Sequence, residues 1–250
     1  MKKLGLIGFP LSHSFSQKYF NEKFQKLGLA GWKYELFNLE NIEDFIKLID
    51  ENNELVGLNV TIPHKVKIIN YLDEISDEAK LIGAVNTIKI SIYNDGKKHL
   101  TGYNTDVYGF EESLKPLLKP QHKKALILGT GGAAKAVKFV LDKLRIEYKF
   151  VSRNPSAEQL SYISITGKIL HEHLLIINTT PLGMWPDINN YPEIPYQQLT
   201  KNHLVYDLVY NPEETQFLTR SKKHGATTKN GLEMLHLQAA KAWEIWNSDE

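Results

Sequence analysis

An α/β fold in two parts is predicted by two stretches of this 250-residue sequence. In one, the aliphatic run Ala125 to Leu128 leads straight into Gly129-Thr130-Gly131-Gly132. Ala133, Ala136, Val137, Val140, Leu141 and Leu144 then share one broad helical face, so the stretch reads strand, tight turn, helix. In the other, residues 3–60 alternate strand, helix, strand, helix, strand, the βαβ pattern of a parallel sheet.

The glycine turn carries chemistry. Gly129-x-Gly131-x-x-Ala134 matches the dinucleotide fingerprint. Gly129 permits the sharp turn, Gly131 lets a pyrophosphate approach the backbone, and Ala134 lets helix and strand pack closely. The amides that open the helix, from Gly132 and Ala133, then face the phosphates. The next strand, Glu147 to Val151, ends at Ser152-Arg153-Asn154. An NAD site expects a carboxylate there, roughly 20 residues past the glycines, for the ribose 2′-hydroxyl. Arg153 stands at that point instead, and a guanidinium suits a 2′-phosphate. The spacing favours NADP; a solvated arginine at a strand end is the plainer alternative.

Bulk composition excludes several classes. The net charge is +1 with 24% charged residues, which gives no electrostatic case for nucleic acid or a membrane surface. The absence of cysteine removes disulfides, thiolate metal sites and thiol catalysis, and fits a cytoplasmic protein. The apolar part of Met1 to Pro10 is too short for a signal peptide, and no run approaches a membrane span.

In chain order, Lys3 to Ile7 is a buried strand closed by Gly8-Phe9-Pro10. A loop with Ser12, His13, Ser14 and Ser16 follows. A helix with Phe20, Phe24 and Leu27 at helical spacing then runs to Gly28. Trp32 to Asn38 is a strand, and Asn41 can cap a helix carrying Ile42, Phe45, Ile46 and Ile49. The strand Leu55 to Val60 leads into Thr61-Ile62-Pro63-His64-Lys65, with Pro63 suited to the first turn of a helix that runs to about Gly83. Asn59, Thr61 and Lys65 thus gather at a strand's carboxyl end, where open α/β sheets bind ligands; a capping threonine and a surface lysine would look the same. Ala84-Val85-Asn86-Thr87 enters a strand through Ile88, Ile90 and Ile92, Asn94-Asp95-Gly96 is a hairpin turn, and Lys98 to Gly102 pairs back. Asp106 opens a helix with Phe110 and Leu114, where an acid also serves as an N-terminal anion. Pro116 and Pro120 mark a linker.

After the glycine-turn unit, Leu174 to Asn178 and Leu204 to Leu208 are further buried strands. The loops behind them, with Thr179, Met184 and Tyr210, should reach the cofactor edge. A helix from about Glu213 to His224 and a strand Ala226 to Lys229 follow. His171, His173 and His203 read as surface or cap residues, and no set of side chains has metal-ligand spacing. The last helix carries the stripe Leu232, Leu235, Ala239, Ala242 and Trp246, with Gln238 beside it.

Taken together, these motifs resemble the shikimate dehydrogenase family. They are Gly8-Phe9-Pro10-Leu11-Ser12-His13-Ser14-Phe15-Ser16, Asn59 to Lys65, Gly83 to Thr87, Asn104-Thr105-Asp106, the glycine turn, and Asn230-Gly231-Leu232-Glu233-Met234 through Gln238. They lie in the family's order and span nearly the whole chain. The resemblance implies a substrate domain with a mainly parallel sheet (1–104, completed by 231–250), a Rossmann-like NADP domain (105–230), and a cleft between them. It implies hydride transfer between NADPH and 3-dehydroshikimate, giving shikimate on the route to chorismate and aromatic amino acids, by a monomer or homodimer.

By the same resemblance, Ser14, Ser16 and Tyr210 bind the substrate carboxylate, and Thr61, Asn86 and Gln238 bind ring hydroxyls. Lys65 and Asp106 form the catalytic pair, and Met184, Gly231 and Met234 lie near the nicotinamide. Gln17 stands where the family usually has proline, and no second arginine follows Arg153, a departure that weakens the preference for NADP over NAD. A quinate/shikimate dehydrogenase would share most of these motifs. A silent small-molecule binder on the same fold should have lost Lys65 or Asp106. A folate- or tRNA-linked reductase of similar build would lack the Ser-x-Ser loop and the Gln238 helix.

Overall fold

A computed structural model describes residues 1–11, 14–93 and 96–248. The chain divides into two compact units, Met1–Thr105 with Ala239–Glu250, and Asp106–Gln238.

The first unit is built on one six-stranded sheet. In chain order it runs β1 (Lys2–Gly8), α1 (Phe15–Lys26), β2 (Trp32–Asn38), α2 (Phe45–Glu51), β3 (Leu55–Val60), β4 (Glu74–Ile75), α3 (Asp77–Ile82), β5 (Thr87–Ile92) and β6 (Lys98–Tyr103). The strand order is β2-β1-β3-β5-β6-β4. β1, β2 and β3 are mutually parallel, and β5 runs antiparallel to both β3 and β6. The carboxyl ends of β1, β3 and β6 therefore share an edge with the amino end of β5.

Alternation along β1 sends residues to both faces of this sheet. Leu4 and Leu6 pack with Phe20, Phe24, Tyr34, Ala239, Ala242 and Trp246. Ile7 packs with Phe45, Ile49, Leu58, Ile68 and Ile88. The C-terminal residues are fastened on by Trp246, whose indole N–H donates to the Ile88 carbonyl (2.9 Å).

The second unit holds α4 (Thr105–Leu114), whose first residue belongs to the first unit, β7 (Lys124–Leu128), α5 (Gly132–Lys143), β8 (Glu147–Ser152), β9 (Leu160–Ser161), α6 (Gly167–Glu172), β10 (Leu175–Asn178), β11 (Leu204–Asp207), α7 (Gln216–Lys223), β12 (Thr227–Lys229) and α8 (Leu232–Asn247), which runs on into the first unit's C-terminal segment. Its sheet is wholly parallel, in the order β12-β11-β10-β7-β8-β9. The chain winds outward from β7 to β9 and then restarts at β10 on the other side. This makes a topological switch point between β7 and β10.

The single helix expected from Pro63 to Gly83 is not formed. Pro63 lies in a turn, a 3-10 helix spans Lys67–Tyr71, and β4 intervenes before α3. The sheet takes the backbone donors a helix would need: Asp73 N–H donates to Leu100 O (3.0 Å) and Ser76 N–H to Gly102 O (2.9 Å). Ser76 then caps α3 with its hydroxyl, and Gly83 ends it in the left-handed conformation. Asn41 makes no side-chain cap, and α2 is entered through a 3-10 turn at Ile42–Asp44. The expected turn at Asn94-Asp95, like Ser12 and His13, lies outside the described residues.

His173 and His203 are core residues, not surface ones. His203 Nδ1 accepts from the Thr200 amide (3.0 Å), so its Nε2 carries the proton and donates to Leu170 O (3.0 Å). Burial lowers the pKa of both rings and keeps them neutral. Among the described residues, no helix is long and apolar enough to cross a membrane, and no group of His, Cys, Asp or Glu could hold a metal ion.

Candidate active site

In the first unit, the predicted polar residues collect on the shared sheet edge. Ser14 takes the N-cap position of α1 without spending its hydroxyl on the helix, and Ser16 lies buried in the first turn. Thr61 follows β3 directly, its amide donating to Ile7 O (2.9 Å).

Val85 and Asn86 then pin three segments at once. Val85 N–H donates to the carbonyl of Lys65 (2.8 Å), and Asn86 N–H to Tyr103 O (3.0 Å). The Asn86 carbonyl accepts from Val60 N–H (2.8 Å). The Asn86 side-chain oxygen accepts from the Thr105 amide (2.7 Å), and its Nδ2 donates to Thr105 Oγ1 (3.1 Å). Thr105 opens α4, so this first-turn amide is satisfied from a distant strand end. Asp106 follows it and is buried. Asn86 thus meets Thr105 with both ends of its side-chain amide.

Tyr34 has no part in the expected site, and Asn59 enters it only as a polar group at the end of β3. Tyr34 is fully buried and donates to Asn59 Oδ1 (2.8 Å), and Asn59 Nδ2 reaches Thr87 Oγ1 (3.2 Å). The available signal was slight: a tyrosine at an inward position of an alternating strand.

In the second unit, the glycine turn sits at the switch point. Gly129 has φ +105°, and a Cβ there would lie 2.8 Å from Thr179 Oγ1 and Thr180 Cγ2, so only glycine fits. Thr179 is drawn under the turn, its hydroxyl donating to Leu128 O (2.7 Å). Gly131, by contrast, faces open space: a Cβ would meet nothing within 4 Å. Gly132 and Ala133 begin α5, whose first turn holds no acid. Its unpaired amides and positive dipole end therefore open onto that space. At the end of β8, Ser152 Oγ accepts from the Asn154 amide (3.2 Å), and Arg153 is exposed with no acid beside it in sequence. The open approach, the free amides and the guanidinium fit a phosphorylated dinucleotide.

Two facing strand ends fix the neighbouring loops. Asn178 and Asp207 are register partners in β10 and β11, and Asn178 Nδ2 donates to Asp207 Oδ1 (2.9 Å). Asp207 also accepts from Val209 N–H (3.1 Å) and from the Thr215 hydroxyl (2.6 Å), the N-cap of α7. Asn178 Oδ1 takes Thr180 N–H (3.0 Å) and its hydroxyl (2.6 Å). This clamp holds the loop bearing Met184, which is exposed, and the turn bearing half-buried Tyr210. Gly231 packs so tightly on Leu208 that a Cβ would collide with its carbonyl. Met234 and Gln238 are buried on α8, which α4 approaches at Gly109.

Known proteins resemble this chain along nearly its whole length. Residues 6–88 match the model of the shikimate dehydrogenase substrate binding domain. A shikimate dehydrogenase (NADP(+)) of Desulforamulus reducens is 42% identical, the match covering 97% of this chain and 88% of the relative. A crystal structure of a shikimate dehydrogenase in complex with NADP+ superposes with a TM-score of 0.85 at 38% identity, covering 100% of this chain and 91% of the other. That of a Listeria monocytogenes shikimate 5-dehydrogenase, in complex with shikimate and NAD, gives 0.82 at 30% identity, covering 100% and 93%.

The Asp207 clamp has a pH signature. Burial raises its carboxyl to about 6 from the ordinary 3.8, although three hydrogen bonds favour the charged form. The folded chain therefore holds a proton that the unfolded chain has released between those values, and stability falls as pH rises through that window. Asp207→Asn should lack this fall, which is worth up to about 3 kcal/mol in urea titrations across the range. Parallel pH profiles for the two proteins would contradict the assignment.

Proposed function

The chain belongs to the shikimate dehydrogenase family, and on that premise we propose that it catalyses reversible, NADP-dependent reduction of 3-dehydroshikimate to shikimate, a step toward chorismate and the aromatic amino acids. The observation that carries the catalytic assignment is the double anchorage at Val85-Asn86. One residue grips the backbone of Lys65, and the next grips Thr105, which precedes Asp106.

When bound, the nicotinamide supplies the hydride that adds to the ketone carbon. As it does so, the carbonyl π pair moves onto oxygen, which needs a proton. Lys65 donates that proton from its ammonium, stabilises the oxygen's growing charge beforehand, and recovers a proton from water. Asp106 orients the ammonium and accepts from a substrate hydroxyl. Ser14, Ser16 and Tyr210 donate to the carboxylate, and Thr61, Asn86 and Gln238 pair with ring hydroxyls. An analogue lacking a hydroxyl would leave these groups unpaired, which is how such sites discriminate.

Gly129, Gly131, Gly132 and Ala133 receive the pyrophosphate. Ser152, Arg153 and Asn154 receive the adenosine phosphate, and Thr179, Met184, Gly231 and Met234 line the nicotinamide side. The first unit is the substrate domain and the second the cofactor domain. The protein acts as a monomer or homodimer in the cytoplasm, a compartment that its cysteine-free sequence suits. A second reading, that NAD also serves, is favoured by one observation: Arg153 stands without a second arginine.

Absorbance at 340 nm, with shikimate or quinate and NADP or NAD, tests the reaction. Turnover should be fastest with shikimate and NADP, and its absence there would refute the proposal. Lys65→Ala should lower kcat by roughly 10²–10⁴-fold with NADPH binding nearly intact. Substantial residual turnover would remove Lys65 from its role. Arg153→Ala should raise the KM for NADPH roughly tenfold or more while barely moving that for NADH. Equal effects on both cofactors would end the case for phosphate recognition.

A further inference from the structure

The turn after β3 reverses the usual order of burial. Ile62 and Val66 stand out in solvent, 64% and 43% exposed, while His64 between them is buried at 2%. Hydrophobicity alone would send the isoleucine and the valine inward and leave the imidazole outside. The ring makes one hydrogen bond there: its Nε2 lies 2.5 Å from the carbonyl oxygen of Leu39. A carbonyl only accepts, so Nε2 carries the proton and donates. Nδ1 is buried with no partner among the described residues. A bare buried acceptor is a cost. An apolar side chain here would avoid that cost and forgo the Leu39 bond.

Leu39 follows β2, and β2 does not pair with β3, because β1 lies between them. The His64 ring therefore links two strand ends across the end of a third. The neighbouring ties run through β1 and its loop. Leu39 N–H donates to Gly8 O (3.0 Å), Phe9 N–H to Ile62 O (3.1 Å) and Leu11 N–H to Asn38 Oδ1 (2.8 Å). His64 joins the two outer segments directly and closes the circuit. Lys65, the next residue, is thereby held from two directions. Its carbonyl accepts from Val85 N–H (2.8 Å), and the ring before it is anchored at Leu39.

We propose that His64 is a positioning residue for the reaction: its bond to Leu39 fixes the turn that carries Lys65 and so sets where the ammonium meets the substrate oxygen. The ring is closed off from solvent, touches no substrate and relays no proton. This rests on the reading of Lys65 as the proton donor.

A double-mutant cycle with His64→Leu and Lys65→Ala tests it, with shikimate as substrate and NADP varied. His64→Leu should lower kcat roughly tenfold or more, the order of loss that misplacing a reacting group brings, with the KM for NADP unmoved. In the Lys65→Ala background the same substitution should change nothing further, because it acts through the ammonium. A loss of equal size with and without Lys65 would mark general loosening of the unit and overturn the inference, as would an unchanged kcat for His64→Leu alone. His64→Gln places an amide N–H near the Nε2 position and should recover most of the loss; a Gln variant as slow as the Leu variant would also overturn it. If Lys65→Ala by itself leaves turnover high, the reading of Lys65 fails first, and the inference falls with it. Should His64→Leu not fold, His64→Gln is compared with His64→Asn, whose amide is one methylene too short to reach Leu39. The Asn variant should then be the slower by roughly tenfold, and equal rates for the two would overturn the proposal.

Discussion

The side-chain amide of Asn86 and the backbone beside it hold together the edge of the first unit's sheet. Lys65 and Thr105 are far apart in sequence, and neither lies in the interior of a helix or strand. Each is held by hydrogen bonds from the Val85-Asn86 pair, which leads into β5. β5 runs against its neighbours, so its amino end arrives where β1, β3 and β6 finish. In a buried setting, each of these bonds is costly to lose, because the stranded partner has no water to turn to. A single side chain at the start of β5 thus satisfies the amide of Thr105, a residue far away in sequence.

The second unit solves the same problem with a different pair. Asn178 and Asp207 end adjacent apolar strands and reach sideways to each other, then outward to the two loops that follow. An acid in this position is expensive to bury, and the three donors around it offset only part of that cost. The glycine turn relies on the same economy of contact. Thr179 fills the place that a side chain on Gly129 would need, while Gly131 is left facing open space.

Much of this was legible in the sequence because the signals are local. Strands such as Trp32–Asn38 and Leu55–Val60 follow from their apolar patterns, and the glycine turn from its spacing. The segment from Pro63 to Gly83 departs from the expected helix because a proline suited to a first turn says nothing of the strand edge that captures Asp73 and Ser76. His203 and His173 were misread for a similar reason: a histidine's partners, here Thr200 and Leu170 or Ile169, decide whether burial is tolerable. Asn86 and Asn59 stood out as polar residues at strand ends. Their roles as hubs did not, since Thr105, Tyr34 and Thr87 reach them only through the sheet. Residues whose function is to hold another residue leave little mark in a single sequence.

The amide hydrogens of Val85, Asn86 and Thr105 offer the most direct test of this account. Val85 and Asn86 lie outside regular elements, and Thr105 is the first residue of a helix, so all three would ordinarily exchange quickly. Native-state hydrogen exchange by NMR should instead find each slowed by on the order of 10⁴-fold or more, comparable with the amides of β3. Exchange at loop-like rates for Val85 and Thr105 would mean that Lys65 and α4 are not held as described, and the account would fail.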